Sequence, residues 1–215
     1  MTSSAMQIRG LDPEETVRFA PCIPGLIRET SPVSYDYSFG TDGLLETLVS
    51  VSWATADTLF SAACATAAVA DGELLGVELG FEGSNFRTFQ ANLAPLALDL
   101  VARGSVTYDQ LVALAQRAAK VSYLNAYIPD HVYYLHAVSA FPQYRGRGIG
   151  KALLAAAIAR ARAAGYRELQ LDVLADNPAV GFYQANGLSI VVETRSLELT
   201  RDHGFPSEYR MAVTL

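Results

Sequence analysis

The period of the apolar positions changes several times along this chain, and each change marks an element. Residues 6–11, MQIRGL, are a short apolar start that reads as a strand. The stretch 12–23, DPEETVRFAPCI, has helical spacing, with Asp12 as N-cap and Pro13 in the first turn. Residues 41–53, TDGLLETLVSVSW, predict a second helix capped by Thr41 or Asp42. Two apolar runs then flank Asp71 and Gly72, the strongest hairpin signal in the chain. Over 85–127 the helical period returns, interrupted at Pro95 and Gly104. Residues 131–141, HVYYLHAVSAF, are apolar on both faces, as suits a central strand. A helix over 148–164 follows; Gly165 ends it, and Arg160 and Arg162 suit its negative end. RELQLDV (167–173) reads as a strand, and DNPAVGFYQANG (176–187) as a short helix capped by Asp176 or Asn177. LSIVVETRSLEL (188–199) and EYRMAVTL (208–215) read as two closing strands. The order is βαα, a hairpin, a helical insert, then βαβαββ. It predicts an α/β protein: a central mixed sheet flanked by helices, with the insert between the third and fourth strands.

Composition narrows the partners. The chain has 215 residues, enough for one domain with a substantial core, and 51% are hydrophobic against 18% charged, which excludes a disordered chain. A formal charge of -6 speaks against general nucleic-acid binding, which needs a basic face. The apolar stretch near 60–70 is too short for a membrane helix, and MTSSAMQIRG lacks the basic and apolar runs of a secretion signal. Cys22 and Cys64 stand apart, with no metal-ligand spacing and no disulfide framework. These features predict a reduced cytoplasmic protein with two buried thiols, no metal and no membrane partner.

Three glycines in QYRGRGIGKALL (143–154) need a reason, because glycine costs conformational entropy wherever it is fixed. The predicted strand ends at Phe141 and Pro142, and this glycine turn leads straight into the 148–164 helix. Amides at a helix start lack helical acceptors, and with the positive end of the dipole they form an anion site. Arg145, Arg147 and Lys151 add charge, so a phosphate group is the expected guest. The Walker pattern fails: Gly150-Lys151 is followed by Ala152, and Arg145 stands where its first glycine belongs. The dinucleotide fingerprint fails too, since the spacing is Gly146-x-Gly148-x-Gly150.

The pattern Arg145-x-x-Gly148-x-Gly150 closely resembles the pyrophosphate loop of the GNAT family, the Gcn5-related N-acetyltransferases. VSAFPQYRGRGIGKALL (138–154) is similar to that family's strand, loop and helix, and LQLDV to its next strand. DNPAVGFYQANGL (176–188) resembles its Asn-x-x-Ala-x-x-Phe-Tyr-x-x-x-Gly-Phe segment, with Ala179 one place early and Leu188 replacing the final aromatic. The likeness is specific over 131–215. Residues 1–130 match only in their order of elements, and the insert is no part of the common core.

The resemblance implies a single GNAT domain over 1–215, with an acetyl-CoA-binding core at 131–215 and the insert at 85–127. It implies an enzyme that moves the acetyl group of acetyl-CoA to a primary amine. The alternative is a non-catalytic CoA-binding sensor on the same fold. The implied cofactor contacts are Val138, Ser139 and Ala140 along the pantetheine arm, then Gln143, Arg145, Gly146, Arg147, Gly148, Ile149, Gly150 and Lys151 around the pyrophosphate. Asn177, Phe182 and Tyr183 complete that set. Tyr183 is the implied general acid, because a phenol with a pKa near ~10 carries a proton for the leaving sulfur at neutral pH. His136, placed like strand histidines of aralkylamine acetyltransferases, Glu78 and, less so, His131 are the candidates for taking the proton of the amine. Tyr35, Tyr37, Phe39, Phe81, Phe86 and Phe89 are candidates for the acceptor pocket or for the core. The last strands of this fold often pair across dimers, so the resemblance leaves a homodimer open.

Overall fold

A computed structural model describes residues 5–125 and 127–215. Residues 1–4, part of the stretch read for a secretion signal, and Ala126, at the end of the insert, lie outside them. Seven strands form one mixed sheet. They are β1 (Gln7–Arg9), β2 (Ala65–Ala70), β3 (Glu73–Glu82), β4 (Tyr133–Ala140), β5 (Glu168–Leu174), β6 (Ser189–Thr194) and β7 (Glu208–Thr214). Their spatial order is β1-β2-β3-β4-β5-β7-β6, with β4 and β5 parallel and every other pair antiparallel. The predicted hairpin at Asp71 and Gly72 is present, with φ of 51° and 76° at its two turn residues. Positive φ at both is what a tight turn between twisted strands requires.

Helices cover both faces. On one lie α1 (Pro13–Phe19), α2 (Ile23–Arg28), α3 (Pro32–Phe39) and α4 (Leu44–Trp53). Ile23, Leu26, Ile27, Leu45, Val49 and Trp53 pack there against Val77, Leu79, Phe81 and Tyr134. On the other lies α8 (Ile149–Ala163), where Leu154, Ala157 and Ala161 meet Tyr133, Leu135, Leu169, Leu171 and Met211. The insert is three helices, α5 (Phe86–Ala91), α6 (Leu93–Ala102) and α7 (Tyr108–Val121), between β3 and β4 as expected. Its Leu100 and Val106 close over Leu44 and Leu48 of α4, and Arg117 Nε donates to the Ser38 carbonyl at 2.9 Å. The insert therefore belongs to the core of its face. Among the described residues no helix is long and apolar enough to cross a membrane.

Two irregularities of β4 shape everything that follows. Leu79 pairs with Ala137 and Gly80 with Leu135, so His136 is an extra residue, a bulge. Side chains then change face, and His136 and Ala137 both turn toward the α1–α4 side. On its other edge β4 pairs with β5 only at Tyr133–Leu169 and Tyr134–Gln170. Beyond these the two strands part, and residues 135–140 have no ladder partner on that side.

Several expectations are corrected. The first helix divides at Pro21 and Pro24 into α1, a short 3₁₀ turn and α2. Residues 32–39, to which the pattern assigns no element, form α3, which starts on Pro32 at its first position. Gly43, at φ 76°, caps α4 in place of Thr41 or Asp42. Pro95 does not break the insert; it sits in the first turn of α6, where its missing N–H has no helical partner to lose, and the break falls at Asn92. SLEL is no strand: Ser196 caps α10 (Leu197–His203) by accepting from the Leu199 amide at 3.3 Å. Leu197 is 74% exposed and Leu199 fully buried, so one alternation suits a strand and a helix edge alike. Cys22 is exposed and Cys64 half-buried, so the expected pair of buried thiols is not formed.

Candidate active site

The glycine turn between β4 and α8 leaves its amides bare. Gly146 and Gly148 both have φ of 78°, a backbone state that costs a side-chain-bearing residue about 1–2 kcal/mol. Gly148 is the N-cap of α8, and no side chain caps the helix. First-turn amides thus meet the positive dipole end without an internal acceptor. Gly150 lies under the Phe182 ring, where an added Cβ would sit 3.5 Å from it. Arg145 spans the mouth: Nη2 reaches Glu29 Oε2 at 2.6 Å and Nε donates to the Ala140 carbonyl at 3.2 Å.

The turn opens on a cleft of about 890 Å³ that follows the parting of β4 and β5. Of the expected cofactor contacts, Val138, Ser139, Ala140, Arg145, Gly146, Gly148, Ile149, Gly150, Lys151, Asn177, Phe182 and Tyr183 line it. Gln143 and Arg147 do not; Arg147 lies over the Tyr144 ring at 5.4 Å. Pro178, not Asp176 or Asn177, is the N-cap of the next helix, and Asn177 is committed just ahead of it: Oδ1 accepts from the Ala179 amide at 2.9 Å, and Nδ2 donates to the Thr30 carbonyl at 3.1 Å. That short helix, α9 (Ala179–Ala185), carries Tyr183 to the cleft wall. Burial pushes the Tyr183 phenol up to about 12, so it holds its proton throughout the neutral range. His136 faces the cleft among the rings of Phe60, Phe81 and Tyr134, with centroids 5.3, 5.8 and 6.1 Å away. Its Nε2 is buried without a hydrogen-bond partner, and burial pulls the imidazole down to about 4. It is a neutral hydrogen-bonding group at pH 7.

Residues 102–188 match the model of the acetyltransferase (GNAT) family, and they hold β4, the glycine turn, α8, β5 and α9. Over these residues the chain is similar to the GNAT family. Its fold is that of solved N-acetyltransferases. One from Staphylococcus aureus Mu50 is 14% identical with a TM-score of 0.69, over 96% of this chain and 100% of that one. The mosquito arylalkylamine N-acetyltransferase like 5b is 15% identical with a TM-score of 0.58, over 98% and 100%. The PaiA N-acetyltransferase from Thermoplasma acidophilum, in complex with coenzyme A, is 17% identical with a TM-score of 0.52, over 98% and 99%. At these identities the likeness is one of fold. No curated protein sequence matches the chain.

Within this cleft the expected proton acceptors separate. Glu78 is fully buried but lies on the α8 face, away from His136. There it forms an ion pair with Arg160 Nη2 at 2.6 Å, while Arg160 also donates to the Tyr133 hydroxyl at 2.6 Å and to Thr66 Oγ1. Burial raises the Glu78 carboxyl to about 6 against the pull of Arg160. Because alternation on β3 sends residues 77, 79 and 81 to one core, residue 78 must face the other. The expectation that Glu78 faces the same cleft as His136 is therefore overturned. His131 is exposed and precedes β4.

The far end of the cleft is made by side chains from many elements. Tyr35 and Phe39 of α3, Phe60, Phe86, and Leu114, Ala118 and Val121 of α7 line it. Tyr37 packs instead on His203 and Phe205, and Phe81 and Phe89 are core. Three polar residues at this end carried no motif: Tyr134, Asp172 and Glu208. Arg210 holds Asp172 through Nε at 2.6 Å and Nη2 at 2.8 Å, and the Tyr134 hydroxyl donates to Asp172 Oδ2 at 3.0 Å. The one signal for them was a charge at alternate positions of otherwise apolar strands, 172 in LQLDV and 208 and 210 in EYRMAV.

Proposed function

We propose that the protein is an acetyltransferase that moves an acetyl group from acetyl-CoA to a primary amine bound at the aromatic end of the cleft. One observation carries the reading. The bare amides of the glycine turn, the unpaired edge of β4, His136 and Tyr183 all face one continuous cleft. These groups fit the cofactor. An elongated thioester carrying a pyrophosphate needs an anion site at one end and a hydrogen-bonding edge along its length. A complex with coenzyme A in a protein of the same fold supports this choice.

The first-turn amides of α8, with Arg145 and Lys151, would hold the pyrophosphate. Arg145 can exchange Glu29 for a phosphate oxygen at little cost, since an exposed ion pair contributes under about 1 kcal/mol. The main chain of Val138, Ser139 and Ala140 would pair with the pantetheine arm. Acetyl-CoA would supply an acetyl group activated as a thioester. Tyr183 holds a proton at its phenol oxygen for the departing sulfur, and burial keeps that proton in place. His136 Nε2 accepts a hydrogen bond from the amine nitrogen and orients it. Unbridged cysteines, one of them exposed, suit a reducing cytoplasmic setting.

Titration calorimetry with acetyl-CoA, then a free-thiol assay across a panel of amines, tests the reading. Binding followed by amine-dependent thiol release is expected. Binding without release on any amine would favour a CoA-responsive sensor, and no binding would end both readings.

A further inference from the structure

Glu208 has no role in the scheme above, and its surroundings are unusual. It opens β7 opposite Leu174, on the same sheet face as His136, and lines the cleft. Its Oε2 is buried with no hydrogen-bond partner. Asp172, Arg210 and Tyr134 are the charged and titratable groups that act on it. All three are committed elsewhere. Asp172 takes both the Arg210 fork and the Tyr134 hydroxyl, and the remaining Arg210 nitrogen donates to the Tyr127 carbonyl. The end of α7 and its C-cap bring Ala118, Val121 and Ser122, which carry no charge. A carboxyl in this position resists ionising alone: burial, then the neighbouring Asp172, hold it up at about 8. The complement such a site lacks is a cation, and the walls around it are apolar.

We propose that Glu208 selects the acceptor by receiving an alkylammonium ion with an apolar body, whose carbon chain lies against Phe60, Phe86 and Val121. This rests on the reading that the cleft takes an amine. Proton transfer within the pair, from nitrogen to the carboxylate oxygen, leaves a neutral amine and a neutral carboxyl. The neutral carboxyl is the form this buried group adopts when alone, and the neutral amine is the form that can attack a thioester.

The test is calorimetry of hexylamine on the CoA-saturated protein, with hexan-1-ol and hexanoate as controls, at pH 7 and pH 9 in buffers of different ionisation enthalpy. Hexylamine should bind, and at pH 7 its binding should release most of a proton, because Glu208 must ionise to pair; at pH 9 the release should nearly vanish. Glu208→Gln should weaken hexylamine by ~10- to 100-fold, abolish the proton release and leave hexan-1-ol unchanged. The measurement on the parent protein needs no variant to fold. Hexylamine binding without proton release, or an affinity within about threefold in the folded Gln variant, overturns the assignment. CoA binding without hexylamine binding overturns it too and leaves the cofactor reading standing. If CoA itself does not bind, the proposed function fails, and the same hexylamine titration on the cofactor-free protein still decides the role of Glu208.

Discussion

The two ends of the cleft are made of different material. At the glycine turn the candidate binding groups are main-chain amides, supplied by a few consecutive residues of which every second one is glycine. At the aromatic end they are side chains from α3, α5, α7, β4, β5 and β7, brought together only by folding. A main-chain site needs a local backbone conformation, which glycines at fixed spacing announce. A side-chain site needs only that each residue point the right way from its own element, and many residue types serve.

The comparison breaks most severely at the turn. Gly148→Glu should abolish CoA binding in calorimetry while the protein stays folded. No atom lies within 4 Å of the added Cβ, so the fold loses little beyond about 1–2 kcal/mol of backbone strain. The carboxylate, however, stands at the anion site. Unchanged affinity in the folded variant would mean that the turn binds no phosphate.

Next in size is Tyr183→Phe. The ring remains, so packing and CoA affinity should hold, while turnover falls ~100- to 10,000-fold in steady-state kinetics on a working amine. Turnover within about threefold of the parent would remove Tyr183 from proton transfer.

The opposite end is sharpened by Ala118→Trp. Its side chain would enter the cleft from α7. We expect KM for the amine to rise about tenfold, the scale of a pocket contact worth some 1–3 kcal/mol, with CoA affinity unchanged. A matching loss of CoA affinity would show that the two ends are not separable. A point change is the right probe because removing the insert would uncover Leu44 and Leu48.

The smallest effects are on stability, and they run in opposite directions with pH. The folded Glu208 carboxyl, at about 8 against an ordinary 4.5, binds an extra proton between those values, so its contribution declines as pH rises through that window. Glu208→Gln should therefore raise Tm at pH 8 by about 2–4 °C for each kcal/mol relieved, and gain little at pH 4. His136, at about 4 against 6.5, is held neutral, so its contribution is present above pH 6.5 and declines as pH falls toward 4. His136→Gln should flatten that acid limb. Melting curves from pH 4 to 9 check both signs.

Much of the fold was legible because its period was. The Asp71–Gly72 hairpin, the strand over 133–140, α8 and α9 all carry strong local signals: a positive-φ pair, a run apolar on both faces, a glycine cap and an Asn-Pro start. α3 escaped because eight residues with aromatics on several sides show no stripe, and α10 because Leu197 and Leu199 alternate like a strand. Within the cleft, Tyr183 and the glycine turn are legible in their segments, whereas the face that Glu78 takes on β3 is not. Neighbours two apart on a strand share a face, but which face meets the cleft depends on what packs there.

By itself, then, the sequence determined most of the elements, the bare glycine turn and the place of Tyr183 on a short helix, because each depends on residues within a turn or two of one another. Only the tertiary structure decided that His136 and Ala137 share a face through a bulge, that β4 and β5 part after two pairs, and that Glu208 stands uncompensated beside a closed Asp172–Arg210 pair. Those facts depend on strand register and on contacts between residues far apart in the chain, such as Arg210 and Tyr127, 83 positions apart. Register and long-range contacts are set by how whole faces pack, and no local pattern carries them.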